Sequence, residues 1–120
     1  MAYDNENIFA KILRGEIPCN KVYEDDHALA FHDINPQAPV HVLVIPKGAY
    51  EDFTTFAASA SAEEFAGYTR AIGETARVLG LEDGGYRLLV NNGAAAGQEV
   101  PHLHVHIFGG GPLGPMLAQP

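Results

Sequence analysis

The chain has 120 residues, 47% hydrophobic and 18% charged, which suits one globular domain with a modest core. Its net charge of −8, with no cluster of Lys or Arg, excludes the basic patch through which proteins release counterions from DNA or RNA. No apolar run nears the ~20 residues of a membrane span, residues 1–6 do not read as a signal peptide, and the single Cys19 leaves no internal disulfide, so a cytoplasmic protein with neither membrane nor nucleic-acid partner is expected.

In chain order, Ile8, Phe9, Ile12 and Leu13 fall on one side of a short helix that stops at Gly15, and Pro18 prevents its continuation. Residues 21–24 read as a strand, Asp25-Asp26 as a turn, and residues 28–33 as a second strand of a hairpin. Two prolines and an asparagine make Asn35-Pro36-Gln37-Ala38-Pro39 a loop, after which residues 41–45 form a buried strand ending at Pro46. Residues 48–60, rich in Ala, Ser and Thr, show no clear period.

Ser61-Ala62-Glu63-Glu64 has the form of a capping box, in which a hydroxyl and a carboxylate each satisfy an orphan amide. Behind it Phe65, Tyr68, Ile72, Ala76 and Leu79 recur at helical spacing, with Gly80 as the stop. Residues 86–91 read as a strand, and Asn92-Gly93-Ala94-Ala95-Ala96-Gly97 as a flexible loop. Short connections predict a largely antiparallel sheet with helices packed on one face. There is no internal repeat.

The loop leads into His102-Leu103-His104-Val105-His106-Ile107-Phe108. Period-two alternation predicts a strand, with Leu103, Val105 and Ile107 in the core and the three histidines on the other face. Neighbouring rings would lie ~6.6 Å apart along such a strand. Rings so placed can bind zinc, whose catalytic sites take three protein ligands, or hold a nucleophile with its proton-transfer partners. Histidines with a merely structural role are the third arrangement open at this point. Upstream, small residues at 93–97 let backbone amides approach an anion closely, with Asn91 and Gln98 as flanking donors. A phosphate cradle joined to the histidines is the expected reading, and no metal is expected.

The run His102-x-His104-x-His106, with aliphatic residues between, resembles the signature of the histidine-triad superfamily. Ile8-Phe9-Ala10-Lys11-Ile12, Phe31-His32-Asp33-Ile34-Asn35-Pro36-Gln37-Ala38-Pro39-Val40-His41 and Ile45-Pro46-Lys47 resemble its nucleotide-binding, phosphoramidase branch. Pro112-Leu113-Gly114-Pro115-Met116 is similar to bacterial members. The likeness runs in order from about residue 7 to residue 117.

The resemblance implies an α+β fold over residues 1–120: a five-stranded antiparallel sheet with one long and one short helix, continued across a homodimer. It implies hydrolysis of purine nucleoside 5′-phosphoramidates through a covalent nucleotidyl-histidine, with no cofactor. By position, His104 would be the nucleophile, flanked by His102 and His106, with His41 completing a relay. Asp33 would accept hydrogen bonds from the ribose hydroxyls. Ile8, Phe9, Ile12, Phe31, Ile34 and Leu43 would line the purine pocket, and Asn91 and Gln98 would hold phosphoryl oxygens. His32, Gly97 and Glu99, beside these in the matching segments, join the nucleotide-binding set. Hydrolysis of dinucleoside polyphosphates and a nucleotide-binding adaptor role are the alternatives.

The chain also departs from the family. Asn7 and Ala10 occupy places where some members have zinc-binding cysteines, so that site is expected to be absent. Glu99 stands where eukaryotic members often have Ser or Thr, Ala49 where a second histidine often follows Ile-Pro-Lys, and Gly111 where Arg is common. These changes bear on the leaving group rather than on the histidine chemistry.

Overall fold

The computed structural model describes residues 2–117; Met1 and residues 118–120, the ends of the expected domain, lie outside the described residues. The elements are α1 (Ile8–Leu13), β1 (Lys21–Glu24), β2 (Ala28–His32), β3 (Val40–Pro46), α2 (Phe53–Ser59), α3 (Ala62–Val78), β4 (Arg87–Val90) and β5 (Val105–Gly109). All neighbouring strands pair antiparallel, in the order β1-β2-β3-β5-β4. The α+β architecture expected from the resemblance is therefore present.

Helices cover both faces of the sheet, not one. Ala28, Ala30, Val42, Val44, Val105 and Ile107 pack against Tyr68 and Ala71 of α3 and against Phe56 of α2. The alternate residues Leu29, Phe31, Leu43 and Ile45 pack with Phe9 of α1 on the other face. The reason lies in β2 and β3 themselves, whose apolar runs are nearly continuous and demand cover on both sides.

The capping box forms as read: Glu64 N–H donates to Ser61 Oγ at 3.0 Å, and Ser61 N–H to Glu64 Oε1 at 3.1 Å. Helix α3 then ends at Gly80, whose φ of +73° suits glycine. Helix α2 was not anticipated in the aperiodic stretch. It has only seven residues, one cap, Asp52 accepting from Thr55 N–H, and one buried anchor, Phe56. Such a helix holds by tertiary packing more than by its own propensity. Among the described residues no helix is long and apolar enough to cross a membrane.

The histidine strand is shorter than the alternation predicts. Ladder pairing on both sides of β5 begins at Val105, opposite Val44 and Val90, so His102 and His104 precede the strand. Pro101 has no N–H to donate, and Leu103 N–H donates to the Tyr50 carbonyl instead. The side chains still sort by period two, with Leu103, Val105 and Ile107 in the core that faces α3.

Candidate active site

The histidines collect on the α1 face of the sheet. Phe9 stands edge-on to His104 with ring centroids 5.0 Å apart, and His104 lies 5.1 Å from His106 by the same measure. Antiparallel pairing of β3 with β5 brings in His41, whose Nε2 is 2.9 Å from His106 Nδ1. Asp33 follows β2 directly; its N–H donates to the His41 carbonyl, and its Oδ2 lies 3.4 Å from His41 Nε2.

Burial keeps these rings neutral. It lowers His41 and His104 below the usual histidine range and takes His102 and His106 to about 4. Neighbouring histidines push His106 further in the same direction, while Asp33 works against the fall at His41.

In a neutral ring one nitrogen carries the proton, and the partners decide which. The Gln37 N–H donates to His41 Nδ1 at 3.1 Å, so the His41 proton sits on Nε2, where it faces His106 Nδ1. His106 must then carry its own proton on Nε2. Among the described residues, that nitrogen is the one buried side-chain polar atom without a hydrogen-bond partner. His104 Nδ1 lies 2.8 Å from the His102 carbonyl, which can only accept, so Nδ1 is protonated and Nε2 keeps the lone pair. The site therefore offers a nucleophilic nitrogen on His104 and an unused N–H donor on His106. His102 differs from both: its Nε2 donates to the Pro46 carbonyl at 2.9 Å, and its Nδ1 accepts from the Tyr3 hydroxyl.

The HIT domain family matches residues 14–113. The chain belongs to that family. It is 62% identical to an uncharacterised HIT-like protein of Azospirillum brasilense, over 98% of this chain and 96% of that protein. It is 47% identical to the purine nucleoside phosphoramidase of Escherichia coli K12, over 95% of each. Among solved structures, a HIT family hydrolase from Clostridium thermocellum superposes with a TM-score of 0.86 at 40% identity, covering 96% of this chain and 99% of that one. A histidine triad protein from Clostridium difficile gives 0.83 at 39% identity, covering 97% and 100%.

The remaining residues singled out in this HIT protein are distributed unevenly. Phe9, Phe31 and Leu43 are core-buried with Ile12 packed against them. Ile8 is 43% exposed and Ile34 is 98% exposed, so these two present open apolar surface while the buried members act first as core. His32 and Glu99 are exposed, and Asn91 is half-buried after β4.

The Gly/Ala loop is more ordered than its composition predicts. Residues Ala94–Ala96 form a short 3₁₀ turn. Gln98 pins it, donating to the carbonyls of Glu51 and Val100 and accepting from Gly93 N–H. The amides of Ala96, Gly97 and Gln98 turn inward onto carbonyls of the loop itself, so these three do not form the expected anion cradle. A turn that closes on itself satisfies its own donors before any ligand arrives.

The atoms close enough to share a metal ion also differ from the sequence-based grouping. They belong to Asp33, His41 and His106, within 4.8 Å of one another, rather than to the three histidines of the run. Asn7, at one of the family's zinc-cysteine places, caps α1 by accepting from Ala10 N–H at 2.9 Å.

The neutral, buried histidines make stability pH-dependent. Unfolded imidazoles take up protons below about 6.5, whereas folded His102 and His106 do so only near 4. Between those values the unfolded chain binds more protons, so stability falls as pH falls, on the order of 3 kcal/mol for a ring as buried as His102. The melting temperature should drop steadily below pH 6.5 in wild type and less steeply in His106→Ala. Parallel curves would assign the acid sensitivity to other groups.

Proposed function

We propose that this chain is a hydrolase of purine nucleoside 5′-phosphoramidates that works through a nucleotidyl group held on His104. The observation that carries the reading is the pairing of a His104 Nε2 lone pair with an unpartnered His106 Nε2 donor. The 47% identity to the Escherichia coli phosphoramidase supports the substrate class.

In the proposed reaction, entry of the phosphoryl anion draws one proton onto the His41–His106 pair, since a nearby negative charge favours imidazolium. His104 Nε2 attacks phosphorus and the P–N bond breaks. The departing nitrogen takes the His106 Nε2 proton and leaves as the free amine, returning the pair to neutrality. Water then attacks the His104–phosphorus bond and gives its proton to His106 Nε2. The nucleoside monophosphate leaves with His104 restored. The Nδ1–H bond to the His102 carbonyl stabilises the positive charge that His104 carries while nucleotidylated.

Asp33 is proposed to accept from the ribose hydroxyls, and Ile8 and Ile34 to cover the purine together with Phe9. Asn91 is proposed to hold a phosphoryl oxygen. Gln98 does so on giving up its bond to the Val100 carbonyl. The cytoplasm is the proposed location.

The test is turnover of a labelled adenosine 5′-phosphoramidate after exhaustive treatment with EDTA. Catalytic release of AMP and amine, unchanged by the chelator, is the expected result. Loss of activity that returns with zinc would replace this mechanism by metal chemistry at Asp33, His41 and His106. Binding without turnover would make the protein a nucleotide-dependent adaptor, and preference for dinucleoside polyphosphates would move the substrate class.

The same reading includes a homodimer. Strand β4 is a sheet edge, and its side chains Leu88 and Val90, with the preceding Tyr86, are exposed, as is Phe65 on α3. Unpaired edge amides beside apolar side chains invite a second copy. Light scattering at low micromolar concentration should report about twice the chain mass of 12.9 kDa. A monomer with full activity would remove the second subunit from the mechanism.

A further inference from the structure

Residues 102–104 carry the nucleophile, yet they lie outside the β-ladder, because pairing on β5 starts at Val105. Something other than sheet hydrogen bonds must fix the carbonyl of His102, which receives the Nδ1 proton of His104. Part of that anchoring is through the backbone, locally from His102 N–H to the Val100 carbonyl and at long range from Leu103 N–H to the Tyr50 carbonyl. The rest passes through the His102 ring, which is fully buried and held at both nitrogens. The Pro46 carbonyl can only accept, so His102 carries its proton on Nε2 and its Nδ1 must receive the Tyr3 hydroxyl proton.

Tyr3 is itself held. Asn7 donates its side-chain amide to the Tyr3 oxygen at 2.9 Å and to the Asp4 carbonyl at 2.7 Å, while its Oδ1 caps α1. The two rings meet edge-on, with centroids 5.6 Å apart. A continuous path thus runs from the cap of α1 through Tyr3 and His102 to His104. The same helix supplies Phe9, which packs on the His104 ring.

We propose that Tyr3 is a positioning residue of the reaction: its hydroxyl, given to His102 Nδ1, fixes the histidine whose carbonyl orients the His104 nucleophile. His102 on this account transfers no proton, because both of its nitrogens are spent on holding its place. Tyr3 touches no substrate and acts only through His102. The proposal rests on His104 being the nucleophile, and it assigns a function to an N-terminal segment that sequence reading leaves silent.

Tyr3→Phe keeps the ring packing and removes only the hydroxyl. The expected result is about a tenfold fall in kcat, equivalent to one hydrogen bond, with KM and AMP affinity within about twofold of wild type. Long-range ¹H–¹⁵N spectra of the imidazoles supply a readout that general destabilisation would not mimic. In wild type, His102 Nδ1 should show the shift of a hydrogen-bonded acceptor, and His104 a protonated Nδ1. In the variant, the His102 Nδ1 signal should move toward that of a free acceptor and the His104 Nδ1 proton should exchange faster. Asn7→Asp, which keeps the helix cap but draws the Tyr3 hydroxyl toward itself, should move both signals the same way.

Wild-type kcat in Tyr3→Phe overturns the proposal, as do unchanged ring signals. Equal losses of kcat, AMP affinity and melting temperature also overturn it, by making Tyr3 a plain packing residue. If wild-type protein turns over no phosphoramidate, the proposed function fails while the ring signals still decide whether Tyr3 fixes His102 and His104.

Discussion

His104→Ala is expected to lower kcat for phosphoramidate hydrolysis by at least about 10⁴-fold while leaving AMP affinity within a few-fold of wild type. The asymmetry follows from the geometry. In the proposed mechanism His104 Nε2 forms the covalent bond, so without it water must attack phosphorus directly, and the whole advantage of a two-step displacement disappears. Ground-state binding of AMP is proposed to draw instead on groups that the substitution spares, Asp33 and the apolar residues around Phe9. The cavity left beside Phe9 adds a stability cost, because the two rings pack edge to edge at 5.0 Å. His104→Asn, which fills more of that space, separates instability from lost chemistry and should be equally inactive. More than about 1% of wild-type kcat in either variant would sink the covalent mechanism. His106→Ala removes a proton donor rather than the nucleophile, so its loss should be smaller, in the range of about 10²–10⁴ typical of general acids.

Asp33→Ala is the second large effect, and here sequence and structure pull the expectation in two directions. Resemblance assigns the carboxylate to the ribose, where bonds to a charged acceptor are worth roughly 1.5–3 kcal/mol each. The structure adds a second neighbour, since Oδ2 lies 3.4 Å from His41 Nε2 while Oδ1 accepts from Asn35 N–H at 2.8 Å. A ribose contact predicts that the variant loses ribonucleotide affinity and becomes nearly indifferent to the 2′-hydroxyl, with 2′-deoxy substrates suffering much less. A charge that chiefly supports His41 predicts the same fall in kcat for both sugars with KM unchanged. Calorimetry with AMP and 2′-deoxy-AMP, run beside kcat on the matching phosphoramidates, separates the two. Equal affinities in wild type for both sugars would remove Asp33 from ribose recognition.

Much of this site is readable from residue types and spacing. The alternation from His102 to Phe108 places three imidazoles on one face, and the core side chains between them sort as period two requires. The capping box at Ser61 marks the start of α3, and glycine at residues 15 and 80 marks helix ends because a positive φ is costly for other residues. What spacing misreads is the strand's length and the loop's order. The ladder starts opposite the last residue of β4, Val90, while β3 runs on to Pro46 and Leu103 N–H goes to the Tyr50 carbonyl instead. Gln98 finds its partner at Glu51, 47 residues away, beyond the reach of any local pattern. The second helical layer is missed for a similar reason, although the continuous apolar runs of β2 and β3 already announced two covered faces.

The amino-acid sequence by itself determines most of the elements, though not α2 or the start of β5, together with the antiparallel architecture and the run of three histidines, because each follows from local periodicity and from side-chain chemistry. Only the tertiary structure decides which nitrogen of each ring carries a proton. That choice is made by the Gln37 amide at His41, the carbonyl of Pro46 at His102 and the carbonyl of His102 at His104. All three groups are backbone atoms, whose presence says little about residue type, brought into place by contacts spanning 4, 56 and 2 positions of the chain. Nor does composition foretell that Tyr3 would reach a histidine 99 residues distant. Neutral rings in a buried cluster take their direction from whichever donor or acceptor folding places beside them, and folding alone places it.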